Sequence, residues 1–186
     1  MCYHNNGDDN MNEVVKTLLS RRSIRKFKDK QVPLDVLKEI LECGIYAPSG
    51  KNKQSSRIVI VQNLDLISKI AKINASFVNK ENLDPFYGAP VLLIVFADKN
   101  IPTYIKDASA VIMNILNASF SLGVDSCWID RAFETFSTKD GELLKQKWNL
   151  SDNFVGVGNV VLGYRDMDLP NALPRRDDLI IFDDEL

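Results

Sequence analysis

Histidine is almost missing from this chain: there is one, His4, in a polar N-terminal run. Serine-triad hydrolysis and His-rich metal sites both need imidazole inside the fold, so both are all but excluded. Cysteine is scarce too. Cys2, Cys43 and Cys127 are an odd number without Cys-x-x-Cys spacing, which argues against a disulfide framework and a zinc site. The longest apolar run, residues 91–97, is too short to cross a bilayer. The first ten residues have neither a basic end nor an apolar stretch, so no secretory signal is expected and a cytoplasmic location follows. Neither sign of charge dominates: a net charge of -2 gives nucleic acid or anionic lipid no global attraction. Gly50-Lys51 lacks the upstream glycine and following Ser/Thr of a P-loop. Any chemistry is therefore expected to come from a bound cofactor.

What is present fits one globular domain. The 186 residues, 45% apolar and 26% charged, can bury a real core. Residues 1–11 are polar and read as a disordered leader. Helical spacing of apolar residues predicts helices over 13–22, from Pro33 to about 47, over 64–73, 104–122 and 139–148. Buried strands are expected at 58–61, 91–96, 125–129 and 156–162. Gly123 suits the C-terminal cap of the longest helix, whose apolar residues nearly surround it. Residues 173–186 read as an irregular tail. The alternation fits an α+β or an α/β layered domain.

Four segments could carry chemistry. In Arg21-Arg22-Ser23-Ile24-Arg25 an extended backbone would put Arg21, Ser23 and Arg25 on one face, where two guanidinium forks and a hydroxyl match a phosphate. The other reading is a solvated basic turn. Ala47-Pro48-Ser49-Gly50-Lys51-Asn52-Lys53-Gln54 follows a helix with small and amide residues, allowing a flat ligand close approach to the backbone; it is equally a plain surface loop. Residues 123–130 (Gly-Val-Asp-Ser-Cys-Trp-Ile-Asp) read as a helix stop and buried strand, with Cys127 a small core residue rather than a nucleophile. Arg175 and Arg176 either solubilise the tail or join a phosphate site.

In order and content these segments resemble the nitroreductase family. Its Arg-x-Ser-x-Arg/Lys motif corresponds to Arg21, Ser23 and Arg25, and its Ala-Pro-Ser-x-x-Asn-x-Gln loop to residues 47–54. Its Gly-x-x-Ser-Cys-Trp-Ile-like strand corresponds to residues 123–129, and its closing basic pair to Arg175 and Arg176. The resemblance spans roughly residues 12–182 and points to the family's compact branch. It implies an α+β fold with a central, mostly antiparallel sheet flanked by helices, in an intertwined homodimer with two FMN sites at the interface.

Carried over by position, Arg21, Ser23, Arg175 and Arg176 hold the FMN phosphate, with Arg22 alongside. Arg25 lies near the N1–O2 edge of the ring. Pro48, Ser49, Gly50 and Gln54 line the ring, Asn52 reads the pyrimidine edge, and the backbone of Asp130 and Arg131 faces N5. Residues 79–86 are a candidate contribution from the partner chain. The implied reaction is ping-pong hydride transfer from NAD(P)H through FMN to a nitroaromatic, quinone or similar small acceptor. One departure stands out: the family's Gln-Pro-Trp is Gln54-Ser55-Ser56 here. It loosens the expected support of the loop and keeps open an alternative, a flavin-binding storage or sensor protein without efficient turnover. A module binding a non-flavin phosphate ligand is a third reading.

Overall fold

The structure is a computed structural model, which describes residues 11–78 and 83–183. Residues 1–10 of the expected leader, with Cys2 and His4, and residues 79–82 of the expected partner-facing segment lie outside the described residues, as do 184–186. Four strands form one sheet: β1 (Ser56–Val61), β2 (Val91–Asp98), β3 (Asp125–Ile129) and β4 (Phe154–Gly163), in the order β1-β2-β4-β3. Every pairing in it is antiparallel. Of the two classes the sequence left open, the fold is therefore α+β. β2 is buried on both faces, which is why it reads as an unbroken apolar run.

The helices are α1 (Glu13–Ser20), α2 (Leu34–Ile45), α3 (Leu64–Ala75), α4 (Tyr104–Ser121), α5 (Ala132–Phe136) and α6 (Lys139–Lys147). One core layer packs α2 and α4 against the sheet through Leu37, Ile40, Val95, Ile112 and Ile115. The other packs α3, α5 and α6 on the opposite face through Ile70, Phe96, Phe136 and Leu144. α4 touches all four strands, so it crosses the sheet from the β1 edge to the β3 edge.

Several expectations need correction at their ends. α1 stops at Ser20 rather than 22, because Arg21 turns extended (ψ 136°) while its N–H still bonds Thr17 O. Pro33 is the N-cap of α2 rather than part of its first turn. β1, β2 and β4 each begin or end a few residues beyond their apolar runs. α4 carries apolar residues on both faces: Ala108, Val111, Ile112, Ile115 and Leu116 are buried, while Ile105 and Met113 are exposed. Gly123 caps it as expected, with φ 74°. No helix among the described residues is long and apolar enough to cross a membrane.

Candidate functional site

The basic stretch is extended and stitched to the sheet. Ser23 bridges Ser126 in parallel, Ile24 N donates to Ser126 O at 3.0 Å, and Lys28 N donates to Tyr164 O at 2.8 Å. Ile24 points into the core and is fully buried, which leaves the alternate positions on the other face. Arg21, Ser23 and Arg25 share that other face, on the side of the Cys127 thiol. Burial pushes that thiol's pKa up, and Arg25, the Ser23 hydroxyl and Arg21 pull it down less strongly. Cys127 is accordingly an inert core thiol. Burial, and then the like charge of Arg22, hold the Arg21 guanidinium below its usual pKa.

Two guanidinium atoms here lack a partner. Nη1 of Arg21 and Nε of Arg22 are buried and meet no acceptor. Arg22 is partly structural, since its Nη1 donates to Leu19 O (2.7 Å) and Arg21 O (2.8 Å) and so closes the end of α1.

The 47–54 loop holds its shape through left-handed residues and one buried carboxylate. Lys51, Asn52 and Gln54 all have positive φ. Ser49 Oγ accepts from Gln54 N at 3.0 Å, and Asn52 Oδ1 accepts from Gln54 Nε2 at 3.2 Å. Asp107, 5% exposed in the first turn of α4, accepts from Gly50 N (3.0 Å), Ser55 Oγ (3.1 Å) and Thr103 Oγ1 (3.0 Å). A Cβ at Gly50 would lie 2.4 Å from Thr103 Oγ1, so only glycine fits there. Ser55, the first residue of the departure from Gln-Pro-Trp, is thus a polar anchor in place of a rigid one. Asp107 escaped sequence reasoning; the available signal was an acidic residue on the apolar face of α4, beside Ala108 and Val111. Replacing Asp107 by alanine strands three donors. A loss of about 3 kcal/mol, a Tm lower by roughly 6–12 °C, is expected in a thermal melt.

Asp130 and Arg131 form the turn after β3. Arg131 is left-handed (φ 68°) and pairs with Glu134 at 3.6 Å. The Asp130 carbonyl accepts from Asn74 Nδ2 (3.0 Å) and Asn159 Nδ2 (3.4 Å), two buried amides that sequence pattern passes over. Arg175 and Arg176 sit in the exposed tail. Arg175 reaches only Leu173 O and Arg176 pairs with Asp178; among the described residues, no hydrogen bond ties either to the 21–25 stretch.

The segments do not all meet within one chain. The basic stretch and the 130–131 turn both border β3, about 13 Å apart along the strand. The 47–54 loop leads into β1, at the other edge of the sheet, about 14 Å from β3 across three strand spacings. Its end of β1 is level with Val155 of β4 whereas Ser126 is level with Leu162, a further offset of about 20 Å along the strands. α4 spans the same gap: Asp107 holds the loop at its start, and Ser119 Oγ bonds Ser126 Oγ (3.1 Å) at its end, about 18 Å further on.

An antiparallel sheet of this order, crossed by one long helix that runs between the basic stretch and the small-residue loop, is the α+β fold of solved nitroreductases. The chain belongs to the nitroreductase family, whose model matches residues 18–164. A Methanothermobacter thermautotrophicus protein, provisionally named an NADH dehydrogenase/NAD(P)H nitroreductase, is 25% identical over 171 residues, covering 87% of this chain and 82% of that one. An NADH dehydrogenase of Thermus thermophilus is 30% identical over 147 residues, 77% of this chain and 64% of its own. Among solved structures, the nitroreductase of Bacteroides fragilis with bound FMN superposes with a TM-score of 0.84 at 28% identity, covering 92% of this chain and 99% of the other.

Proposed function

We propose that this protein is an FMN-dependent NAD(P)H oxidoreductase that works as an intertwined homodimer. One observation carries the reading: Nη1 of Arg21 is buried without an acceptor, on the extended stretch whose period puts Arg21, Ser23 and Arg25 on the face opposite the buried Ile24. A buried, unpaired guanidinium is costly unless an anion completes it, and a phosphate's oxygens suit its planar fork. The residues therefore fit FMN. Arg21 and Ser23 hold the phosphate, with Arg22 Nε alongside and Arg175 and Arg176 joining when the tail packs on the assembled pair. Arg25 faces the N1–O2 edge, where positive charge favours the reduced ring. Asn52 reads the pyrimidine edge with its free amide donors, Pro48, Ser49, Gly50 and Gln54 line the ring, and the backbone of Asp130 and Arg131 faces N5.

The separation just described supports the dimer. A single chain holds the basic stretch and the loop at opposite edges of its sheet, so one flavin reaches both when a second copy presents its own loop. A two-fold pairing of α4 helices, antiparallel to each other, does this twice. Exposed apolar side chains mark that contact: Val14, Leu18 and Leu19 on α1, Ile105 and Met113 on α4, and Ile180, Ile181 and Phe182 in the tail.

When bound, FMN supplies the hydride chemistry, taking two electrons from NAD(P)H and passing them to a nitroaromatic, quinone or similar small acceptor. The chain need only bind, orient and exclude water, which agrees with the absence of histidine from the described residues. Donor and acceptor use one shallow site in turn, a ping-pong order. With reduced nicotinamide as donor and Cys43 and Cys127 as free thiols, the cytoplasm is the matching compartment.

The test is the absorbance spectrum of purified protein before and after anaerobic NADH or NADPH. Yellow protein that bleaches is the expected result. Yellow protein bleached by neither donor would instead support the storage or sensor role, although the Asp107–Ser55 anchor answers the loop departure that favoured it. Colourless protein that takes up no added FMN would overturn the reading.

A further inference from the structure

We infer that Asn74 and Asn159 are positioning residues, which grip the Asp130 carbonyl from inside the core and thereby turn the Arg131 N–H outward onto the hydride-accepting edge of the flavin. This rests on the FMN reading above and adds two residues that do not touch the cofactor.

The geometry is that of one peptide unit. In a trans peptide the C=O and the following N–H point in opposite directions. The Asp130 carbonyl points inward, because its two partners are buried: Asn74 is 2% exposed and Asn159 is fully buried. The N–H of Arg131 therefore points outward, and it donates to no described residue. The left-handed backbone of Arg131 completes the turn and leads at once into α5. For a residue with a Cβ that conformation is strained, and it persists only where the surroundings impose it.

Two separate parts of the chain, α3 and β4, impose it. Asn74, in the last turn of α3, spreads its amide between Asp130 O and Thr135 Oγ1 (3.2 Å). Asn159, in the middle of β4, lies directly across from Ile129, the last residue of β3. Gly156, three residues earlier on β4, seats the next step of the turn: a Cβ there would lie 2.5 Å from Ala132 O. The arrangement is not the one that core stability alone would favour. Oδ1 of Asn159 is buried without a partner, so an aliphatic side chain would suit that site better. Asn159 leaves one acceptor unpaired while its amide fixes a single carbonyl.

The test compares wild type with Asn74→Ala, Asn159→Leu, the double variant, and Thr135→Val. The last removes a hydrogen bond from the same cluster but leaves the Asp130 carbonyl gripped. Each is loaded with 15N-labelled FMN, and the N5 chemical shift is read together with FMN affinity and NADH kinetics. In wild type, N5 should show a hydrogen-bonded shift. In the double variant it should move toward the unbonded value, while FMN Kd stays within about threefold because the phosphate grip is untouched. The hydride-transfer rate should fall about tenfold or more with little change in KM, as for loss of an aimed backbone donor. Thr135→Val should melt lower yet keep the wild-type N5 shift. An N5 shift unchanged in an FMN-loaded double variant would overturn the inference, as would a wild-type N5 without a hydrogen bond. If the double variant does not fold, the same comparison is made with the two single variants. Failure of wild type to bind FMN at all would instead remove the reading beneath it.

Discussion

Arg21→Ala is expected to lose FMN while keeping the fold. The side chain offers charge-assisted hydrogen bonds, each worth about 1.5–3 kcal/mol when the partner is an anion. Losing them should raise Kd roughly 10- to 150-fold, measured by titrating apoprotein into FMN and following the quenching of flavin fluorescence. The fold should tolerate the change, because Nη1 satisfies nothing in the protein itself. Burial and the neighbouring Arg22 also disfavour the charge, as the lowered pKa of Arg21 records. The apoprotein of the variant should therefore melt at or above the wild-type temperature, while the rise in Tm that FMN gives wild type should disappear. Arg21→Lys, which keeps the charge but not the planar fork, should fall between the two. An affinity for FMN unchanged in Arg21→Ala would refute the phosphate assignment, whatever the melting curves show.

That site could be read in part from sequence because its parts are local. Arg21, Ser23 and Arg25 share a face through the two-residue period of an extended backbone, and the buried Ile24 between them confirms the period. α4 and β2 were legible for a similar reason: each is long and strongly patterned, so neighbouring residues carry the signal. α5 was missed because it is five residues long and opens on a left-handed Arg131, a conformation set by its seat on β4 rather than by local preference. Asp107 and Asn159 were missed on different grounds. Asp107's loop partners lie 52 and 57 residues away and Asn159's carbonyl partner 29, so apart from Thr103, four residues before Asp107, the nearby sequence does not show that a polar group on an apolar face is satisfied. Arg175 and Arg176 rest on order along the chain alone: within one copy their side-chain hydrogen bonds stay inside the tail.

Met113→Arg should yield a monomer and, with it, the loss of FMN. Met113 is 39% exposed on the outer face of α4, one turn from Ala110 and one from Asn117, near the middle of the helix. In the proposed two-fold pairing through that face each Met113 would lie close to its symmetry mate, so the variant would bury two like charges without partners, and the assembly should dissociate. The single chain is expected to stay folded, because the buried face of α4, from Ala108 to Leu116, is unchanged. What each chain would lose is its partner's loop: its own 47–54 segment is held by Asp107 at the β1 edge, about 18 Å along α4 from Ser119. With phosphate contacts alone, FMN affinity should fall by about two orders of magnitude. Even in wild type, apparent affinity should weaken as the protein is diluted through its dimer constant, since binding and association are linked. Sedimentation velocity with detection at a flavin wavelength reads both at once. A wild-type species that carries FMN at the mass of one chain would show that a single copy suffices, and the pairing of loop and basic stretch across two chains would then be wrong.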